Sequence, residues 1–329
     1  MPDHRLPSRR DLIAGAAALT AAPAILHAAP PAAASLKGRT MLITGASSGF
    51  GRVGALHYAR FGAKVIATMR NVPRPEAESL AAEAAKEKLD LHIVEIDVTN
   101  DDSVATGTGK ALQLAGGRID TLVNNAGIGI TGPVEVQDME ATRLIFETNV
   151  FGIQRMLRAL LPQMRAAKGG QIFNISSQLG RVIVPGGGHY SATKFAVEAL
   201  SEQLAYELVP YGIDVTIIQP GGYPTKVWVN RNAYTGALKG RSDAALLAAY
   251  EPFTRGMGTE DGSGRSADPA DVPRAIAEIM ALPAGKRPLR RAVHPGNKPQ
   301  EAINRVSAEV QLAWLGGSPL GPLVKAVHD

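Results

Sequence analysis

The chain has no cysteine among its 329 residues. Disulfides, thiol nucleophiles and thiolate metal sites are therefore excluded. Its seven histidines show neither an H-x-x-x-H nor an H-E-x-x-H spacing, so no metal site is expected. Aromatic residues are scarce, at 5%, and no basic run is interleaved with them. That removes the usual footprint of a nucleic-acid binder. The net charge of +5 is spread along the chain. Long hydrophobic runs are also missing. The apolar run Leu12 to Leu26 is alanine-rich and uncharged, but its 15 residues fall short of the ~20 needed to span a bilayer.

That run belongs to a distinct leader. Ser8-Arg9-Arg10-Asp11-Leu12-Ile13 opens a basic-then-apolar segment, and Ala32-Ala33-Ala34 before Ser35 offers a small-residue cleavage site. Residues 1–34 resemble a twin-arginine export signal. They depart from it at Leu12, where Phe is usual, and at Ala14, where Lys is usual. The expectation is export to the periplasm, with no membrane contact in the mature form. The alternative is a cytoplasmic protein with a non-functional leader. Mature protein found in the cytoplasm with the leader intact would reject export.

From Leu36 the pattern alternates strand and helix. Strands are expected at Thr40–Thr44, Lys64–Thr68, Leu91–Ile96, Ile119–Val123, Gln171–Ile175, Asp214–Ile218 and Leu289–Val293. Helical patterns fall between them, including one continuous helix over about Glu140–Arg165 and another from 188 to about Leu208. Short apolar runs alternating with helices imply a parallel sheet covered on both faces. Right-handed crossovers make this an α/β, doubly wound sheet. Residues 222–268 break the rhythm. They are rich in Gly, Ser and charge, with helix expected only near Ala244–Tyr250. They read as a lid on a single domain spanning 35–329.

Thr44-Gly-Ala-Ser-Ser-Gly-Phe-Gly51 is a glycine-rich turn between the first strand and a helix. Gly45 lets the chain turn sharply. Gly49 and Gly51 let backbone approach a pyrophosphate, and the helix N-terminus favours negative charge. Such a turn also occurs with no ligand. At the end of the second strand an acidic side chain would accept from a ribose 2′-OH, but Met69 and Arg70 stand there. Arg70 suits a 2′-phosphate, which favours NADP; NAD is the alternative if Arg70 is only a solvated charge. Asp97 after the third strand could bond an adenine amino group, with Val98 covering the ring edge. Asn124-Asn125-Ala126-Gly127 ends the fourth strand, where such folds bind ligands; it also reads as an ordinary turn. Tyr190-Ser-Ala-Thr-Lys194 puts a phenol and an ammonium on one helix face. Ser176 and Ser177 lie upstream. A phenol beside an ammonium and a cationic oxidised nicotinamide is expected to titrate below its usual value of about 10 and to move protons on a C–OH or C=O group.

Taken together, Thr44-Gly45-x3-Gly49-x-Gly51, Asn124-Asn125-Ala126-Gly127, Asn149, Ser177, Tyr190-x3-Lys194 and Pro220-Gly221 resemble the motif set of the single-domain short-chain dehydrogenase/reductases, which have a Rossmann fold. The resemblance is strong over Leu36–Thr225 and loose beyond. The stretch at 67–71 is similar to NADP-preferring hydroxysteroid and retinol dehydrogenases. The resemblance implies a catalytic set of Asn149, Ser177, Tyr190 and Lys194. The thirteen-residue separation from Tyr190 selects Ser177 over Ser176. Lys194 would also hold the nicotinamide ribose, and Asn149 a water leading to solvent. The implied cofactor contacts are Gly45, Ser47, Ser48, Gly49, Phe50, Gly51, Arg70, Asp97, Val98, Asn125, Ala126, Gly127, Tyr190, Lys194, Pro220, Gly221 and Thr225. The extra Gly222-Tyr223-Pro224 leaves the register of Thr225 open.

The resulting expectation is an NADP-dependent oxidoreductase acting on a small-molecule alcohol or ketone. A nicotinamide-retaining epimerase or dehydratase and a non-catalytic NADP sensor are the alternatives. Residues 222–268 hold Tyr223, Trp228, Tyr234, Tyr250 and Phe253, five of sixteen aromatics. These rings fit either an apolar substrate or the packing of the lid onto the body. The resemblance further implies a homodimer or homotetramer through the helices at 140–165 and 188–208.

Overall fold

A computed structural model describes residues 35–328. The leader reading of residues 1–34 lies outside the described residues. Seven strands form one parallel sheet: β1 (Thr40–Ile43), β2 (Lys64–Met69), β3 (Leu91–Glu95), β4 (Thr121–Asn124), β5 (Gly170–Ile175), β6 (Ile213–Pro220) and β7 (Arg290–Val293). Their order is β3-β2-β1-β4-β5-β6-β7. The order reverses direction between β1 and β4, which pair through Leu42 with Leu122 and Ile43 with Val123. Open parallel sheets bind ligands outside the carboxyl ends of strands at that switch.

Alternation along each strand feeds two cores. Met41, Ile43, Val65 and Ala67 face α1 (Gly49–Arg60), α2 (Pro75–Lys86) and α10 (Asp271–Met280) through Tyr58, Leu80 and Ile276. Leu42 and Ile66 face α3 (Asp101–Leu114), α5 (Gly152–Ala166) and α6 (His189–Leu208) through Val104, Met156 and Val197. Both faces are covered, as the uninterrupted apolar strands require.

Three elements differ from the sequence reading. The expected continuous helix over 140–165 is broken. α4 (Met139–Phe146) runs into a π-helical turn at Glu147–Phe151 before α5 begins. Residues 222–268 carry more helix than expected. α7 (Val227–Arg241) precedes α8 (Ala244–Ala249) and α9 (Glu251–Thr254). Of α7 only Thr235 and Leu238 are buried, so it shows no broad apolar stripe of the kind that betrays a helix. After β7 come α11 (Gln300–Leu315) and α12 (Gly321–His328). α11 buries only Gln300, and its sequence was equally silent. α12 is tied to α6 by a 2.7 Å hydrogen bond between Tyr206 and His328.

Candidate active site

The glycine turn after β1 lies in backbone contact with the loop after β4. Gly45 has φ of +70°, and a β-carbon there would sit 2.8 Å from Ala126 Cα. A β-carbon on Gly51 would strike the Gly45 carbonyl oxygen and crowd the Asn125 amide. Asn125 Nδ2 donates to the Thr44 carbonyl at 2.8 Å, and its backbone N–H donates to Thr44 Oγ1 at 3.0 Å. Asn125 therefore holds the turn in place. Gly49 faces Thr225: a β-carbon at Gly49 would lie 3.6 Å from Thr225 Cβ. The extra Gly222-Tyr223-Pro224 does not displace Thr225 from the turn. Ser48 caps α1 with extended backbone and no side-chain capping bond. The first N–H groups of α1 are thus not claimed by their own cap. Ser47 stands half-buried in the same turn. Phe50 meets Tyr223 edge-on at 5.3 Å between ring centres. A turn with three glycines at an open helix N-terminus fits a pyrophosphate.

The other expected cofactor positions are mixed. Arg70 stands exposed just past β2 and donates to the Tyr234 hydroxyl on α7 at 2.8 Å. Asp97 Oδ1 accepts from the Thr99 backbone N–H at 2.9 Å and its hydroxyl at 2.7 Å. Val98 departs from the reading. Its side chain is buried against Gly152, so it belongs to the core and leaves only its backbone for an adenine edge. Pro220 closes β6, and Gly221 donates to the Val293 carbonyl at 3.1 Å. A β-carbon on Gly221 would lie 2.6 Å from the His294 ring.

The four expected catalytic side chains converge. Tyr190 is the second residue of α6, and Lys194 follows one turn later. The Lys194 ammonium stands 5.7 Å from the Tyr190 ring centre and donates to the Ile175 carbonyl at 2.9 Å. Ser177 is buried at the end of the segment leaving β5; its Oγ accepts from Leu179 N–H at 3.1 Å. Asn149 lies in the π-helical turn. π-Turns insert a residue and re-aim a side chain, often at functional sites. Here Asn149 Oδ1 accepts from Ile128 N–H at 2.8 Å. Its Nδ2 donates to the Ile128 carbonyl at 2.9 Å and to Thr193 Oγ1 at 3.1 Å. Gly127 is the junction: a β-carbon there would lie 3.3 Å from Asn149 Oδ1 and 3.7 Å from Lys194 Nζ. His189 is not a competing base in this arrangement, since its Nδ1 bonds Gln137 Oε1 at 2.8 Å.

The side chains by themselves do not supply the expected lowering of the phenol. Burial pushes the Tyr190 phenol up from its usual value rather than down. The nearby Ser177 hydroxyl and the charge of Arg231 pull the other way. Burial lowers Lys194 to about 8, with Glu198 opposing. A buried phenol resists ionisation because phenolate loses its hydration.

Sequence reading missed Arg231. It reaches from α7 across Gly129, where a β-carbon would lie 3.1 Å from its Cδ. It also missed Arg290 on β7, which pairs with Glu198 at 2.8 Å one turn beyond Lys194. Neither carries a local signal, since each partner is distant in sequence. Of the five lid rings, four are engaged by the protein. Tyr223 is buried and Trp228 lies under two guanidiniums. Tyr234 and Tyr250 pack on the cluster of Ile130, Val136 and Ile145. Phe253 remains exposed.

This geometry has known counterparts. A family profile described as short chain dehydrogenase matches residues 39–235. The chain belongs to the short chain dehydrogenase family. It is an oxidoreductase of that family. An uncharacterized oxidoreductase of Bacillus subtilis (YusZ) is 41% identical over 260 residues, covering 78% of this chain and 88% of the relative. Human retinol dehydrogenase 8 is 32% identical over 290 residues, covering 83% and 87%. A solved short chain dehydrogenase/reductase from Burkholderia phymatum, in complex with NAD, superposes with a TM-score of 0.68 at 25% identity, covering 87% of this chain and 98% of that one.

Proposed function

We propose that this enzyme interconverts an alcohol and a ketone or aldehyde using NADP, with Tyr190 as general acid and base. One observation carries the reading: the glycine turn and two of the four polar side chains, Asn149 and Lys194, close on the same short segment. Gly45 and Gly51 abut Ala126 and Asn125, while Gly127 abuts Asn149 and Lys194. Cofactor cradle and proton machinery therefore share a wall.

In this reading Gly45, Ser47, Ser48, Gly49, Gly51 and Thr225 hold the pyrophosphate. Lys194 binds the nicotinamide ribose and supplies positive charge beside Tyr190. When bound, the nicotinamide gives or takes the hydride. Ser177 holds the substrate oxygen. Tyr190 donates its proton to that oxygen in reduction and takes it back in oxidation. A phenol kept protonated by burial suits the donor role near neutral pH. Asn149 fixes the loop at Ile128 and leads from Lys194 towards solvent.

The NADP reading rests on Arg70 and on the absence of an acidic residue at Met69-Arg70-Asn71. NAD is the second reading, favoured by the engagement of Arg70 with Tyr234 and by the NAD held in the Burkholderia phymatum structure.

Residues 222–268 serve as the substrate lid. The segment from Ser177 to Tyr190 exposes Ile183 and Val184, at 72% and 51%, and Phe253 of the lid is 48% exposed. Phe253 Cδ1 would lie 3.2 Å from a β-carbon at Gly186. Exposed apolar side chains on the segment that leads to Tyr190 and on the facing lid favour a substrate with an apolar body.

NADPH consumption over a panel of aliphatic aldehydes, ketones and steroid ketones tests the reading. Tyr190→Phe should lower kcat by about 10²–10⁴-fold and leave the NADPH dissociation constant unchanged. Full turnover by Tyr190→Phe would remove the phenol from the mechanism. Failure of the wild type to bind either nicotinamide would remove the whole proposal.

A further inference from the structure

Arg231 is a cation without a part in the reaction as described, yet it lies close enough to Tyr190 to pull on its titration. Its aliphatic stem crosses Gly129, two residues past the junction at Gly127. Its guanidinium stacks on the Trp228 ring at 4.3 Å from the centroid. Arg265 covers the same ring at 3.7 Å, and its Nε would lie 3.0 Å from a β-carbon at Gly222. The two arginines therefore roof the crevice between the loop after β4 and the loop after β6.

Between them sits one carboxylate. Glu260 ion-pairs with both Arg231 and Arg265. Two guanidiniums converging on one carboxylate are the geometry by which proteins read carboxylates. The carboxylate can be reached from solvent. Glu260 is 45% exposed. It lies in a loop whose Gly258, Gly262 and Gly264 all take positive φ. Arg231, by contrast, is only 17% exposed. Its Nε is buried with no hydrogen-bond acceptor. A buried N–H on a charged group without a partner is costly, so pairing with Glu260 leaves one donor of Arg231 unsatisfied.

We propose that Arg231, supported by Arg265, recognises a carboxylate on the substrate, and that Glu260 occupies this site when substrate is absent. The inference rests on the oxidoreductase reading and narrows its substrate class. The substrate is amphipathic. Its carbonyl or hydroxyl meets Ser177 and Tyr190, its apolar body lies along Ile183, Val184 and Phe253, and its carboxylate displaces Glu260.

Two measurements on the full chain test it. The first compares medium-chain keto acids with their methyl esters. The wild type should favour the acid, and Arg231→Gln should cut the acid-to-ester ratio of kcat/KM about tenfold, or about 1.4 kcal/mol. An unchanged ratio overturns the proposal. The second uses octanoate binding by calorimetry and needs no turnover. Arg231→Gln should weaken octanoate about tenfold, and Glu260→Gln should strengthen it by removing the competitor. Equal affinity for wild type and Arg231→Gln, or no binding by the wild type, overturns it. If octanoate responds as expected while no carbonyl compound is reduced, the carboxylate site stands and the oxidoreductase reading falls.

Discussion

At the glycine turn, backbone lies against backbone: Gly45 touches Ala126, Gly51 touches the Gly45 carbonyl, and half-buried hydrogen bonds from Asn125 lock the pair. In residues 222–268 side chains reach across instead. Arg241 pairs with Asp138, Tyr250 with Glu135, Arg70 with Tyr234 and Arg231 with Glu260. The first region excludes every alternative arrangement sterically. The second packs Tyr223, Leu238 and Met257 inward and adds a rim of contacts that water and ligands can compete for. A cofactor cradle needs fixed backbone, whereas the lid proposed for residues 222–268 would need contacts that can part, and the two regions differ in that sense.

The comparison is broken most directly at Gly45. Alanine there would take a left-handed backbone, at about 1–2 kcal/mol. Its β-carbon would also lie 2.8 Å from Ala126 Cα, and overpacking adds about 1–3 kcal/mol. Gly45→Ala should lose about 2–5 kcal/mol by denaturant unfolding, with nicotinamide binding lost as well. A variant within 1 kcal/mol of the wild type would show that the turn is not sterically locked.

Arg70 stands where the two regions touch. Arg70→Ala should weaken NADPH by roughly tenfold or more, the loss of a charge-assisted contact, and leave NADH nearly unaffected. Equal effects on both nucleotides would move Arg70 from the cradle to the lid, as a mere anchor for Tyr234.

The pH dependence separates the site's two titrating groups. Lys194 is lowered from 10.5 to about 8 by burial, while Tyr190 is raised. Raising the pH therefore removes the ammonium first, and the phenol keeps its proton. Reductive kcat/KM should hold below pH about 8 and fall above it. A profile flat through pH 10 would mean that Lys194 keeps its proton or does not need it.

These outcomes also mark what the sequence could convey. The cradle and the four converging side chains were legible because their spacing is imposed by close approach and by one helix turn: Gly45, Gly49 and Gly51 admit no substitute, and Tyr190 and Lys194 must be four apart. The π-turn at Asn149 was not legible, since nothing in Glu147–Phe151 distinguishes it from ordinary helix. α7 was not legible because it buries only two residues and so has little apolar period. The lid clasp escaped for a different reason. Arg231 and Glu260 are 29 residues apart, and a charged pair at that distance leaves no pattern. The upward push on Tyr190 was missed because burial is a property of the packed chain and not of Tyr-x-x-x-Lys.

The smallest effect belongs to the lid's outer edge. Arg241 ends α7 and bonds Asp138, which also caps α4 by accepting from Ala141 N–H at 2.8 Å. Both partners are well exposed, at 33% and 40%, so the pair is screened. Arg241→Gln leaves the Asp138 cap in place and should cost no more than about 1 kcal/mol, shrinking further in high salt. A larger, salt-independent loss would mean that the lid is welded to the body like the glycine cradle. The contrast between fixed floor and movable roof would then collapse. A small loss accompanied by a higher KM would place the end of α7 among the contacts that close over substrate.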